Sequence, residues 1–330
     1  MTTSPSLPRI IALFPGQGSQ RVGMGKELAD ASPIARDLFR RADDALEFSL
    51  STLCFEGPSE ELTRTEYAQP AILTVSTICF EMLRGQVAFD LVAAAGHSLG
   101  EYSALVATGA LDFEDAVRIV HRRGTYMQSA VPAGIGKMAA ILGKELSAIE
   151  EARARVTCGV IEVANDNSPG QIVVSGDAAA VDELLQLMAP VKSVELPVSA
   201  PFHCSLMQPA AEQLRADIEK LSLRDPASPI IANVTAEPTQ SAVQIKELLY
   251  RQVCGTVRWV ESMQRARALI DNEMGPDTSW IEFGFGTTLA GLMKRIDSTI
   301  KPLGTQTIAD ITAVTTRLSA EGVSATAPAA

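Results

Sequence analysis

The pentapeptide Gly96-His97-Ser98-Leu99-Gly100 constrains this chain more than any other stretch. An apolar segment, 89–95, precedes it, and Tyr102-Ser103-Ala104-Leu105-Val106, which reads as a helix, follows it. A serine flanked at two residues' distance by glycines, between a strand and a helix, has the layout of a nucleophile elbow. The glycines have a steric reason, because side chains at those positions would collide across so sharp a turn. The serine hydroxyl then stands exposed at the C-terminal edge of a sheet. The Leu99 amide points toward a reacting carbonyl as one oxyanion donor, and the start of the next helix adds partial positive charge. Ordinary strand-to-helix turns also show this pattern, so the elbow alone does not name a reaction.

The chain before the elbow reads as α/β. Residues 10–14 are all apolar, as in a strand buried on both faces. They run into a glycine-rich loop, Pro15-Gly16-Gln17-Gly18-Ser19-Gln20. This is not a phosphate loop: the GK[ST] ending is missing, and a dinucleotide fingerprint would need glycine where Arg21 stands. Such a loop still brings a backbone amide close to a ligand. A helix is expected from about Gly25, and helical pieces between 38 and 62. Gln69-Pro70 reads as a helix start, with proline in the first turn of an apolar helix over 71–82. Past the elbow, Asp112 suits an N-cap. Phe113, Val117, Val120, Gly124 and Met127 then recur as one helical stripe. Arg122 faces away from that stripe. Arg123 sits at its edge, where a side chain either snorkels to the surface or reaches into a cleft.

A separate module follows. It reads as strand 137–142, helix 144–156, strand 160–164, a turn over 165–170, strand 171–175, helix 178–188 and strand 191–198. The order β-α-β-β-α-β is the split βαβ, ferredoxin-like pattern. Its ends lie near each other, so it can be inserted in another domain. The chain then returns to α/β alternation, with strand 229–234, helix 243–253, a helix from Trp259, strand 280–283 and a helix through Arg295.

Composition excludes several classes. The net charge is −11 over 330 residues, with acid spread along the chain, which argues against nucleic acid as the main partner. No apolar run approaches a membrane span, and the one after the polar N-terminus is too short for a signal sequence. Five cysteines form no CxxC pair and no metal spacing, so reduced thiols, no metal and no cofactor are expected. The expectation is a cytoplasmic monomer.

Chemistry then turns on histidine. There are only three, His97, His121 and His203. His97 is part of the elbow, and His121 lies on the flank of the helical stripe, where a structural role suits it. His203 falls where the inserted module rejoins the main chain. It is either a general base or a buried structural histidine. Ser98 with one available histidine points to acyl transfer through an acyl-serine. A hydrolase of this elbow type has an acid and then a histidine near its C-terminus. Here two more strand–helix units follow His203, and no DxxH or similar acid–histidine pairing stands out.

Several ordered motifs resemble malonyl-CoA:acyl carrier protein transacylases: FPGQGSQ at 14–20, QPA at 69–71, GHSLGEYSAL at 96–105, Arg123-Gly124, NSPGQIVVSG at 167–176, PFHCSLM at 201–207, and RQV-x-x-x-V-x-W at 251–259. The resemblance spans about 10–308. It implies an α/β-hydrolase-like core with a parallel sheet, over 9–130 and 200–318, and a ferredoxin-like subdomain over 131–199. A disordered leader (1–8) and a flexible tail (319–330) complete the expected domains. It implies a malonyl group carried from malonyl-CoA to holo acyl carrier protein on Ser98 in fatty-acid biosynthesis; the alternatives are an acyltransferase that loads a polyketide or malonate-decarboxylase carrier protein, and a serine thioesterase or esterase. His203 would be the base, oriented by the backbone carbonyl of Gln252 rather than by an acid. The amides of Gln17 and Leu99 would form the oxyanion hole. Arg123 would hold the malonyl carboxylate, and Gln252, Phe202, Asn165 and Asn167 would complete the substrate side of the site. Near the C-terminus Gly284-Phe285-Gly286 replaces the family's usual GPG. Since acyl carrier protein is acidic, a basic patch is expected at the cleft mouth, with Arg122, Lys294 and Arg295 as candidates.

Overall fold

Strand β1 (Arg9–Phe14) explains the layering. Alternate side chains of a strand point to opposite faces. Ile10, Ala12 and Phe14 enter one buried cluster, whereas Ile11 and Leu13 enter another. In the computed structural model, which describes residues 7–132, 134–198, 200–273 and 278–324, β1 is therefore a central strand with helices on both faces. The remaining strands are β2 (Asp90–Gly96), β3 (Gly136–Leu142), β4 (Ile161–Ser168), β5 (Gln171–Asp177), β6 (Lys192–Glu195), β7 (Ile230–Ile231), β8 (Pro238–Thr239), β9 (Thr278–Glu282) and β10 (Leu303–Gly304). One sheet has the order β10-β9-β1-β2-β7-β8, parallel except for β8. The other has the order β4-β5-β3-β6, antiparallel throughout, with its own core. The fold is thus mixed α/β. Among the described residues no helix is long and apolar enough to cross a membrane.

The register sets the site. Phe14 of β1 lies opposite Gly96 of β2, so both strands end at the same edge. The glycine-rich loop and the elbow leave that edge side by side, tied by the His97 N–H donating to the Phe14 carbonyl at 2.9 Å.

Proline at 70 does not start a helix. It lies inside the helix Thr65–Arg84, which is buried along most of its length. Proline lacks the N–H that would reach the Glu66 carbonyl four residues back. His121 supplies the donor instead, Nδ1 to that carbonyl at 2.8 Å. His121 is therefore structural, packed between Phe48 and Tyr67. Asp112 precedes the helix Phe113–Ser129 but makes no cap bond, because its carboxylate pairs with Arg224 at 2.6 Å. The expected turn at 165–170 is mostly strand. Two irregularities in the β4–β5 pairing absorb extra residues, so β4 runs on through Ser168 and only Pro169-Gly170 make the bend. Strand 229–234 shrinks to Ile230–Ile231. The tail expected from 319 is helical as far as described, in Ile308–Ser324. Residues 1–6 of the expected leader and 325–330 of the tail lie outside the described residues.

The stripe on Phe113–Ser129 is buried as expected, and its Gly124 lies against the start of the helix Thr65–Arg84. A Cβ there would stand 2.6 Å from the Cα of Glu66 and from the Thr65 carbonyl oxygen. Gly124→Ala is expected to lower stability by about 1–3 kcal/mol, because two helix backbones would have to separate. Thermal melting checks this, and an unchanged melt would show that the interface has slack.

Candidate active site

Two close approaches shape the elbow. A Cβ on Gly96 would fall 1.9 Å from the Gly100 carbonyl, and one on Gly100 would fall 2.1 Å from the Phe14 carbonyl oxygen. Between them Ser98 has φ 52°, in the left-handed region. Such a conformation costs a non-glycine residue about 1–3 kcal/mol and persists only where surroundings enforce it. The enforcement is visible. The Ser98 N–H donates to Asn233 Oδ1 at 2.7 Å, and its carbonyl accepts from Gln252 Nε2 at 3.0 Å.

His203 also has a positive φ, 60°. Its Nε2 lies 2.8 Å from Ser98 Oγ. On the other side Nδ1 faces the carbonyls of Gln252 at 2.9 Å and Gly255 at 3.1 Å. Carbonyls only accept, so Nδ1 carries the proton and the Nε2 lone pair faces the hydroxyl. Burial, then the nearby Arg123 charge, push the imidazole pKa down to about 3, so His203 is neutral at ordinary pH.

Arg123 is 1% exposed and lines the pocket that Ser98 and His203 also line. Nη1 donates to Gln69 Oε1 at 2.8 Å, while Nη2 donates to Gln252 Oε1 at 2.9 Å and to Ser98 Oγ at 3.1 Å. The Tyr102 ring lies beside the guanidinium, 5.7 Å from its centroid. Burial lowers the guanidinium pKa, against the pull of Tyr102 and the Glu101 carboxylate. A guanidinium remains charged in such a setting. Of the two readings of Arg123, the structure shows the inward one.

The pocket has a volume of about 230 Å³ and is lined by Gln17, Ser98, Leu99, Arg123, Asn165, Phe202 and His203, among others. Gly16 presses on the His97 carbonyl and so brings Gln17 beside the elbow; a Cβ there would lie 2.4 Å from that oxygen. Among the described residues the backbone N–H groups of Gln17 and Leu99 have no protein acceptor. Asn167 is not on the wall but bonds His97 Nε2 at 2.7 Å from behind. Gln252, expected on the substrate side, is fully buried beneath Ser98, His203 and Arg123. None of Arg122, Lys294 and Arg295 lines the pocket: Arg122 pairs with Asp217 at 2.9 Å, and Arg295 bonds Gln171 at 2.6 Å. Among the described residues no cluster of three or more histidine, cysteine or acidic side chains could hold a metal ion.

Sequence reasoning missed Gln69, Glu101 and Asn233. One signal was available for Glu101, the one charged side chain on the mostly apolar helix Gly100–Ala107.

This geometry suits acyl transfer to a hydroxyl beside a buried cation, and comparison with known proteins agrees. Residues 12–280 match the family model for the acyl transferase domain. The malonyl CoA-acyl carrier protein transacylase of Bacillus subtilis (strain 168) is 45% identical over 303 residues, 90% of this chain and 93% of the relative. The chain belongs to the malonyl CoA-acyl carrier protein transacylase family. The Escherichia coli (strain K12) transacylase is 40% identical, over 87% of this chain and 93% of its own. The solved transacylase of Coxiella burnetii superposes with a TM-score of 0.89 at 40% identity, covering 96% of this chain and 99% of that one. Another relative was solved as a malonyl-transacylase in complex with a type II PKS acyl-carrier protein. It is 36% identical with a TM-score of 0.88, covering 94% and 99% of the two chains.

Proposed function

We propose that this enzyme transfers malonyl from malonyl-CoA to the phosphopantetheine thiol of holo acyl carrier protein, for fatty-acid synthesis, through a malonyl ester on Ser98. The observation that carries the reading is a buried guanidinium beside the Ser98 hydroxyl, 3.1 Å away in one pocket. A buried cation facing a small pocket selects an anion. Malonyl presents a thioester carbonyl at one end and a carboxylate at the other. The carboxylate pairs with Arg123 by two parallel N–H···O bonds, which sets the carbonyl against Ser98.

His203 Nε2 takes the hydroxyl proton as Oγ attacks. The oxyanion is held by the Gln17 and Leu99 amides, each worth about 10²–10³ in rate. As the intermediate collapses, the imidazolium returns that proton to the departing CoA sulfur. The carrier thiol then gives its proton to His203 and attacks the ester carbonyl, and the proton finally returns to Ser98. Orientation of His203 by the carbonyls of Gln252 and Gly255 stands in for the acid of a triad. Phe202 and Asn165 shape the pocket around the malonyl group, and Asn167 acts through His97.

The fold reading has similar support. The parallel sheet with its elbow is read as an α/β-hydrolase-like core of 9–130 and 200–318. The module of 131–199, whose strands run second, third, first, fourth across the sheet, is read as ferredoxin-like. A polyketide carrier as acceptor is the second reading, favoured by the relative solved with such a carrier.

Intact mass after incubation with malonyl-CoA tests the function. A malonyl adduct that persists in buffer and is lost on adding holo carrier protein is expected. An adduct that hydrolyses without a carrier would make the protein a thioesterase, and no adduct would leave a carrier-binding scaffold. Fatty-acid and polyketide carriers offered side by side separate the two acceptors.

A further inference from the structure

Glu101 is 3% exposed, in the first turn of the helix that follows the elbow, and the transfer steps above do not use it. Its carboxylate is nonetheless where the site's supports converge. Oε2 accepts the Asn233 backbone N–H at 3.0 Å and Gln252 Nε2 at 2.8 Å. Asn233 Oδ1 holds the N–H of Ser98, and Asn233 Nδ2 holds the Gly96 carbonyl at 2.7 Å. Gln252 Nε2 holds the Ser98 carbonyl, Gln252 Oε1 holds Arg123, and the Gln252 carbonyl holds His203.

We propose that Glu101 is a positioning residue: its carboxylate fixes Gln252 and Asn233 where they grip the Ser98 backbone from both sides. An ionised carboxylate oxygen accepts both N–H groups and its charge strengthens each bond, whereas a glutamine there would offer a weaker neutral acceptor and bring an NH2 that needs its own partner. Cutting this tie frees the Gln252 amide to rotate. The elbow's left-handed residue, the base and the guanidinium then lose a shared anchor. Burial pushes the Glu101 carboxyl up to about 7, against the pull of its hydrogen bonds from Asn233 and Gln252 and then of the Arg123 charge.

The inference rests on Ser98 being the nucleophile, as in the function proposed above, but not on malonyl being its cargo. The test therefore uses two probes: malonyl-CoA with holo carrier protein, and phenylmethylsulfonyl fluoride, which reacts with an activated serine and needs no carboxylate contact. In Glu101→Gln, kcat for malonyl transfer and the rate of sulfonylation at Ser98 are expected to fall together by about tenfold or more. The malonyl-CoA KM should move less than kcat, because the cation that binds the carboxylate keeps its bond to Gln69. Glu101→Asp keeps the charge at a shorter reach and should recover part of both rates. It also serves as the second variant if Glu101→Gln does not fold. Rates counted per reactive site that match the wild type in a folded variant would overturn the proposal, as would a loss confined to KM. If the wild type is sulfonylated but never malonylated, the function reading fails while the Glu101 result still stands.

Discussion

Ser98→Ala is expected to fold, to take up no malonyl mass from malonyl-CoA, and to lose about 10⁴-fold or more of its transfer rate. The folding expectation follows from where the elbow's restraints act. Asn233 and Gln252 grip the backbone N–H and carbonyl of residue 98, not its side chain. Alanine and serine share the same steric penalty at φ 52°, so the substitution adds no strain. The chemical expectation follows from what is left on the wall. Among the described residues the pocket is lined by no cysteine and no lysine, and Thr63 is the one other hydroxyl there. The hydrogen bond to His203 Nε2 that would activate a nucleophile belongs to Ser98. Intact mass and carrier-acylation rate decide the matter. A malonyl adduct on the alanine variant, formed at a rate comparable with the wild type, would place the carrier group elsewhere.

How much of this could be read from the chain depends on the range of the interactions. β1 and the elbow were legible because their signals are local: a continuous apolar run, and glycines whose need is set by atoms a few residues away. The inserted module was legible in its element order, since each element carries its own periodicity. Its Asn165–Ser168 stretch was misread because Asn, Asp and Ser favour turns, while the bulges that keep them in β4 depend on pairing with β5. Pro70 was misread for a related reason. Proline inside a helix is tolerated when another donor serves the freed carbonyl, and that donor, His121, lies 55 residues on. The terminal helix had a local sign that went unread. Thr307 and Asp310 bond each other's backbone N–H groups reciprocally, as in a capping box.

The site divides along the same line. Ser98 and Leu99 sit within one motif, and the family resemblance placed His203 and the Gln252 carbonyl. Arg123 could not be settled from its helix, since a residue at the margin of an apolar stripe fits either surface or cleft. What draws it inward is polar company from Gln69, Gln252 and Ser98, which the topology gathers from three other segments. Glu101 and Asn233 are 132 residues apart, and no periodicity links them.

Arg123→Ala is expected to reverse the enzyme's choice of acyl group. With the guanidinium present, a bound malonyl carboxylate meets a charge already held by two buried amide oxygens. Without it, the carboxylate is a buried anion lacking its partner, a loss of about 3–5 kcal/mol. At about 1.4 kcal/mol per factor of ten, malonyl transfer should drop by about 10²–10⁴-fold. Acetyl transfer should behave differently, for a reason that lies at His203. The Arg123 charge is, after burial, the main influence holding His203 down as a base. A malonyl carboxylate neutralises that charge on binding, whereas acetyl leaves it in place. If Arg123 holds the carboxylate as proposed, malonyl relieves the imidazole that accepts the Ser98 proton, and acetyl does not. Removing Arg123 lifts the suppression for every acyl group, so acetyl loading should rise in absolute rate while malonyl loading collapses. Arg123→Lys should not rescue the preference, since a point charge cannot make the two parallel bonds or hold Gln69 and Gln252 together. Parallel intact-mass time courses with malonyl-CoA and acetyl-CoA measure both effects at once. A variant that still prefers malonyl would mean that the carboxylate is read by some other group.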